Sequence, residues 1–501
     1  MSKLKRATAS HQPNWDRFNS HPATLTHPYN NQYNSCYNAR LSALRSRCLP
    51  PDEAFAPKVV ERIIELCEDV PSTVIGTIVK NSPGRPKMDT AYHSSYDGIS
   101  YLGTPYDEKD FEDPMSSYCE ENDLILLEDE SGRVELMVNT DVENNNFVKE
   151  DLATGVVVAV QGTVGATGVM KVDKILFPAM GPQDDEMEAV DDEAHIMLIS
   201  GLDCGGSDRS TSFKREILID FLTGHFDQDQ ARKIARVIVA GGGCTKPIKP
   251  ESASFGNWND SSSAATKKEQ QQKDMENATL PMRELDLFLG ELCASGVPVD
   301  FIPGLYDPTN ANWPQKPLHP CLVPNADSFV NMLSRSPNPY DCKIGGKVFM
   351  GSDGYNFADL KRFLANKVVE GENDEVDDEG NPVEPKVELI PKTFLDVLES
   401  SLTFNHMCPT GPDSLPTFPF EKEDPFVIQT TPHVYFAGNC NEFDTKLLVK
   451  DDKITRLICV PSFAKTGQAV LLNLKNLDCT IVEFGNAPVG SGGGDEKKME
   501  E

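Results

Sequence analysis

The sequence has 501 residues, 39% of them hydrophobic and 25% charged, with a formal net charge of −31. That length predicts two or three domains, and the composition predicts a chain that mostly folds. The charge excludes autonomous nucleic-acid binding as a leading function, because an acidic chain repels a phosphate backbone and the Lys and Arg residues form no polybasic run.

Thirteen cysteines occur without a single C-x-x-C pair, which argues for reduced thiols in a reducing compartment over a disulfide framework or zinc ribbon. The N-terminus has no apolar signal-type region, and no apolar run is long enough to cross a bilayer, so a soluble intracellular chain is expected. MSKLKR is a short basic cluster that reads as an ordinary charged terminus in preference to a nuclear-import signal.

In chain order, residues 1–32 are rich in Asn, His, Pro and Ser and read as a disordered tail. Residues 33–183 read as a helix plus an OB-type barrel. Within them, 57–67 places Val59, Val60, Ile63, Ile64 and Cys67 on one face of a short helix. The β-type segments 72–79, 123–138, 155–164 and 169–177 follow, with a tight turn at Asp129–Gly132 and bends at Gly76 and Gly162. The interval 81–120 reads as a long insertion between the first two strands.

Residues 184–194 form an acidic linker, in which seven of the ten residues from Asp184 to Glu193 are Asp or Glu. Beyond it, 195–484 reads as an α/β domain. Strands 195–201, 236–242 and 298–304 each end in glycine, and a helix spans Leu280 to Ala294. Asn259 to Asn277 is polar and of low complexity, and is expected to be a surface loop. Residues 370–384, with eight acidic residues and no basic one, form an exposed insertion. Four strand-like runs, HVYFAGN, RLICVPSF, AVLLNL and TIVEF, close the domain, and 485–501 reads as a second disordered tail.

Glycine-ended strands at the edge of an α/β sheet are where such folds gather ligands. The layout resembles that of calcineurin-like metallophosphoesterases, whose strand ends carry D-x-H, G-D, G-N-H-D and G-H-x-H ligands for two metal ions. Here the ligands are exchanged. Gly201 and Asp203 stand at the first strand end, Gly242 at the second, Leu305, Tyr306 and Asp307 at the third, and Asn439 and Asn441 at the last. Glycine offers no ligand atom and neutral amides are poor ligands at a transition-metal site, so no catalytic, cofactor or metal residues are expected. Asp203 and Asp307 read as capping and loop hydrogen-bonding groups in preference to a weak Mg²⁺ site. His406 is the remaining catalytic-type side chain; with no paired acid evident, it reads as structural.

The segments RVIVAGG, VPVDFIPGLYDPTNANWPQKPLHPCLVPNA, GGKVFMGSDGYNFADL, HMCPTGPDSLPTFPF, DPFVIQTTPHVYFAGN and VPSFAKTGQAVLLNL resemble the B-subunit family of replicative DNA polymerases, its delta branch above all. That resemblance implies an OB-type barrel joined to a two-sheet α/β phosphoesterase-like domain that is catalytically inactive. It implies a nuclear, non-catalytic subunit acting in replication and repair. Its partners would be the cysteine-rich C-terminal module of the polymerase delta catalytic subunit and further accessory subunits, with DNA reached only through the complex.

Two other functions compete with this one. The first is an active metallophosphoesterase with unconventional ligands. The second is a single-stranded-DNA-binding barrel, which would need a cationic groove and aromatic platforms. The strands at 123–138 and 155–164 contain no Phe, Trp or Tyr, and Arg133 is their one cation.

Overall fold

The computed structural model describes residues 4–19, 32–49, 58–83, 117–120, 122–140, 142, 145–184, 193–247, 264–364, 366–370 and 387–485. The expected N-terminal tail is ordered across residues 4–19. There β1 (His11–Pro13) pairs antiparallel with Cys342–Ile344 of the second domain, and a helical turn, Asp16–Asn19, follows. Trp15 packs on Tyr340 and Phe18 stacks on Phe426, so two aromatic anchors outweigh the polar composition around them. Residues 20–31 lie outside the described residues.

The helix Asn34–Arg45 buries Cys36, Arg40, Leu41 and Leu44 against the barrel. The helix expected over 57–67 does not form in the described part, 58–67. Residues 58–60 form β2 (Lys58–Val60), parallel to β3 (Ser72–Asn81), and only Ile63–Glu65 makes a 3-10 turn. The N–H groups of Ile63 and Ile64 donate to Asp129 and Ser131 of the next hairpin, so this segment is fixed by tertiary contacts and not by its own period.

The barrel continues with β4 (Leu124–Glu128), β5 (Arg133–Val138), β6 (Val157–Val164) and β7 (Val169–Leu176). Its order is β3-β4-β5-β7-β6, with β6 closing back on β3 and β5 parallel to β7. This closed five-stranded arrangement is that of an OB-type barrel. The β4–β5 turn is built by the Asp129 carboxylate, which accepts from the N–H groups of Ser131 and Gly132. Gly162 sits where the β6–β7 register shifts, and a Cβ there would lie 2.1 Å from the Lys171 carbonyl oxygen. The insertion after β3 falls between two neighbouring strands, as expected, and residues 84–116 of it lie outside the described residues.

The second domain contains β8 (His195–Ile199), β9 (Ile234–Ala240), β10 (Val299–Ile302), β11 (Leu333–Arg335), β12 (Tyr340–Ile344), β13 (Lys347–Ser352), β14 (Asn366–Glu370) and β15 (Val387–Pro391). It ends with β16 (Val434–Cys440), β17 (Asp444–Lys450), β18 (Lys453–Pro461), β19 (Gln468–Asn473) and β20 (Cys479–Glu483). Two six-stranded sheets result, β1-β12-β13-β16-β18-β17 and β11-β10-β9-β8-β19-β20. Strand alternation divides their faces. Ile196, Leu198, Ile238 and Ala240 join Tyr340, Phe349 and Phe436 in a core between the sheets, whereas Met197, Ile199, Val237 and Val239 meet Leu218, Phe221, Leu285 and Phe288 of covering helices. The helices Tyr355–Phe363 and Phe394–Thr403 cover the other sheet.

The helix expected from Leu280 instead runs Ala264–Ala294, through much of the segment expected to be a loop. Ala, Lys, Glu and Gln dominate that polar stretch, and they are strong helix formers even where no apolar face advertises them. Residues 185–192, 371–386 and 486–501, which hold most of the acidic linker, the acidic insertion and the second tail, lie outside the described residues. Antiparallel β14 and β15 flank residues 371–386, with Glu370 paired to Val387. No helix among the described residues is long and apolar enough to cross a membrane.

Candidate functional site at the strand ends

The glycine-ended strand ends of β8, β9 and β10 converge with the end of β16 on one point. The Gly201 N–H donates to the Gly241 carbonyl at 2.9 Å, and the Gly241 N–H donates to that of Ile302 at 3.1 Å. Gly201, Gly241 and Gly242 have φ of +63°, +75° and +69°, which side chains adopt at a cost. A Cβ on Gly201 would lie 2.5 Å from Ser462 Oγ and 2.9 Å from Asn439 Oδ1. On Gly242 it would lie 2.6 Å from Asn439 Oδ1, and on Gly304 2.4 Å from the Gly242 nitrogen. The backbones and the Asn439 amide therefore fill the volume that ligand side chains would need. Asn439 is itself fixed, donating from Nδ2 to the Asp353 carbonyl and from its backbone N–H to Ser200 Oγ, both at 2.9 Å.

Asp307 is buried at the centre of this cluster. Its carboxylate accepts from the N–H groups of Gly304 (2.7 Å), Cys244 (2.8 Å) and Gly243 (3.2 Å), tying the loop after β10 to the loop after β9. Burial raises its pKa and the three donors oppose that rise. Asp203 is half-buried, and its carbonyl accepts from Arg215 Nη1 at 3.2 Å. Leu305 and Tyr306 are half-buried and Asn441 is exposed. The structure thus brings Gly201, Gly242, Asp307 and Asn439 together and leaves Asn441 at the surface. Among the described residues, no three His, Cys, Asp or Glu side chains are placed to share a metal ion.

Sequence reasoning missed Asp353. Its buried carboxylate accepts from Asn338 Nδ2 at 2.8 Å and from the Tyr355 N–H at 3.3 Å, and burial pushes it up to about 6. With Leu305, Trp313 and Gln315 it lines a recess of about 10 Å³, room for about one water molecule. The signal available was the G-S-D-G run, in which the glycine after Asp353, Gly354, has a φ of +94°.

His406 was expected to lack a paired acid, and this is corrected by the structure. Its Nε2 lies 2.9 Å from Asp424 Oδ2, and both side chains are buried. Asp424 also meets Arg40 Nε at 2.7 Å, so the group is a sealed ion network between domains. A separation of 18 positions between His406 and Asp424 hid this pairing.

A family model for the B subunit of DNA polymerases alpha and epsilon matches residues 196–445, and one described as "DNA polymerase delta subunit OB-fold domain" matches residues 32–175. The DNA polymerase delta small subunit of Oryza sativa subsp. japonica is 31% identical over 460 residues, covering 90% of this chain and 93% of that one. This chain belongs to the DNA polymerase delta small-subunit family. The small subunit of Arabidopsis thaliana is 30% identical, with 90% of this chain and 91% of that one covered. DNA polymerase delta subunit 2 of Drosophila melanogaster is 30% identical, covering 91% and 94%. A solved structure from Thermus thermophilus aligns over 58% of this chain and 98% of that chain at 13% identity, with a TM-score of 0.24. The two family models fall on the barrel and on most of the two-sheet domain respectively.

Proposed function

We propose that this chain is the non-catalytic small subunit of a nuclear DNA polymerase delta complex, acting in replication and repair as a scaffold. It would hold the cysteine-rich C-terminal module of the catalytic subunit and at least one further accessory subunit, and reach DNA only through them. Gly201, Asp203, Gly242, Leu305, Tyr306, Asp307, Asn439 and Asn441 would then be vestiges of a phosphoesterase site.

The observation that carries this reading is the closed packing of the strand ends. A Cβ at Gly242 would stand 2.8 Å from Gly201 Cα and 2.6 Å from Asn439 Oδ1, so a ligand side chain at that strand end would be crowded out by backbone and amide. The buried Arg40–Asp424–His406 network supports it further, because it joins barrel and second domain into one composite surface. The net charge of −31 favours protein partners over direct contact with DNA.

The test is affinity purification of the tagged full chain from nuclear extract, followed by mass spectrometry. A polymerase delta catalytic subunit in near-equal amount is the expected result. Recovery without any polymerase catalytic subunit would overturn the reading.

A further inference from the structure

Both sheets of the second domain end on the same side, at β17 and β20, where Thr445 Oγ1 and Cys479 Sγ lie 3.8 Å apart. At the other end of the first sheet, β12 is covered by the chain's own β1. Among the described residues no strand pairs with the outer side of β17. This edge is seven residues long and carries exposed Leu447 and Val449, with exposed Ile454 opposite Val449 across the hairpin. Its seven residues also include Asp444, Lys446 and Lys450, charges that discourage pairing with an arbitrary strand, so a partner for this edge must match them.

The turn fixes which backbone groups face outward. Asp451 and Asp452 both have positive φ, +53° and +59°, as in a two-residue hairpin turn of type I′. Lys450 and Lys453 are then a hydrogen-bonded pair. Alternation makes Lys450, Leu448, Lys446 and Asp444 bond to β18, while Thr445, Leu447 and Val449 direct their N–H and C=O groups away from the sheet. The Thr445 N–H is met by the Asp444 carboxylate at 2.8 Å, in agreement with an outward donor.

We propose that this edge binds β17 of a second copy of the chain, antiparallel and centred on Leu447. The sequence D-T-K-L-L-V-K is complementary to itself in that register. Leu447 meets Leu447, and Thr445 meets Val449. These are the positions whose backbone groups face outward, so the strands bond through them. Asp444 stands opposite Lys450 of the second copy, twice by symmetry, in the closer non-hydrogen-bonded pairing. The Asp444 carboxylate exchanges its contact with the Thr445 N–H for that ammonium group. A shift of one residue places inward-facing backbone groups at the contact, and a shift of two keeps the outward groups paired but takes Asp444 away from Lys450, so the charge pair sets the register. The charge of −31 on each copy opposes the contact at long range, and physiological salt screens that repulsion.

The experiment is sedimentation equilibrium of the full chain across a concentration series at physiological ionic strength, with Asp444→Lys, Lys450→Asp and the double exchange. The wild type is expected to show a monomer–dimer equilibrium. Each single exchange opposes like charges and weakens association at least about tenfold, and the double exchange restores it. A chain that stays monomeric at every concentration overturns the proposal, as does a dimer equally strong in the wild type and both single exchanges. Thermal melts of the variants establish that each is folded. Capture of the catalytic subunit is measured separately, so failure of this contact and failure of the proposed function are distinguishable.

Discussion

Arg40, on the helix that precedes the barrel, holds its Nε 2.7 Å from Asp424 Oδ2 in the second domain, with both side chains buried. Its terminal nitrogens donate to the carbonyls of Gly155 (3.0 Å), Pro409 (2.7 Å) and Gly411 (2.7 Å). One side chain thereby satisfies acceptors from both domains. Removing one partner of a buried pair strands the other, so Arg40→Ala is expected to cost about 3–5 kcal/mol. Urea denaturation measures this. A loss below about 1 kcal/mol would show that the interface does not depend on the pair.

The same network predicts how stability depends on pH. His406 Nδ1 accepts from the Cys408 N–H at 3.0 Å, which places the ring proton on Nε2, facing Asp424. Burial first, and the Arg40 cation second, lower His406 from 6.5 to about 4. The folded state therefore prefers the neutral ring. This contribution is fully present above 6.5 and is lost as pH falls from there toward 4, at roughly 1 kcal/mol per pH unit. Asp424, held below its ordinary 3.8, adds acid sensitivity only beneath that window. His406→Gln should flatten the decline, so the stability gap between wild type and variant narrows from pH 7 to pH 5. Parallel declines in the two proteins would refute the assignment.

The barrel strands and the glycine-ended strands were legible in the sequence because period-two alternation and glycine are local signals. The His406–Asp424 pairing was not, since nothing local marks which acid a buried histidine meets. Helix 264–294 was obscured by a polar stretch whose propensity exceeds its periodicity. Residues 58–60 show the reverse case, in which a helical period yields to parallel pairing with β3. At the candidate site the identities of Gly201, Gly242 and Asn439 were readable. Their direct contact depends on positive φ at all three positions, which only the folded backbone shows.

A carboxylate introduced at the strand ends should not create a metal centre. Gly242→Asp introduces a Cβ 2.6 Å from Asn439 Oδ1 and 2.8 Å from Gly201 Cα, at a φ of +69°. The expected cost is at least about 2 kcal/mol, from overpacking and backbone strain together. The melting temperature should fall, and dialysis against Mn²⁺ or Zn²⁺ should leave no stoichiometric metal on the variant. Tight metal binding with an unchanged melt would mean that the strand ends open more readily than their packing implies.

Asp307 separates a structural carboxylate from a metal ligand. Its oxygens accept from the N–H groups of Gly243, Cys244 and Gly304, so Asp307→Ala leaves three buried donors without their acceptor. An unmade buried hydrogen bond costs about 1–3 kcal/mol, and partial relaxation makes the total about 3 kcal/mol. Chelator treatment of the wild type should leave the melting curve in place.

The N-terminal strap supplies the last test. Phe18 is 1% exposed and stacks on Phe426, while Trp15 packs on Tyr340 and β1 covers the edge of β12. Phe18→Ala should cost about 3–5 kcal/mol, as for other buried aromatic residues. Stability loss alone would not distinguish a strap from a core residue. The distinguishing readout is hydrogen exchange at Cys342–Ile344, which pair with Pro13–His11. Loosening the anchor should speed exchange on β12, next to the strap, while the β16–β18 ladder, two strands further in, stays protected. Uniform acceleration across the sheet would instead mean that Phe18 supports the whole domain, with no local role for residues 11–13.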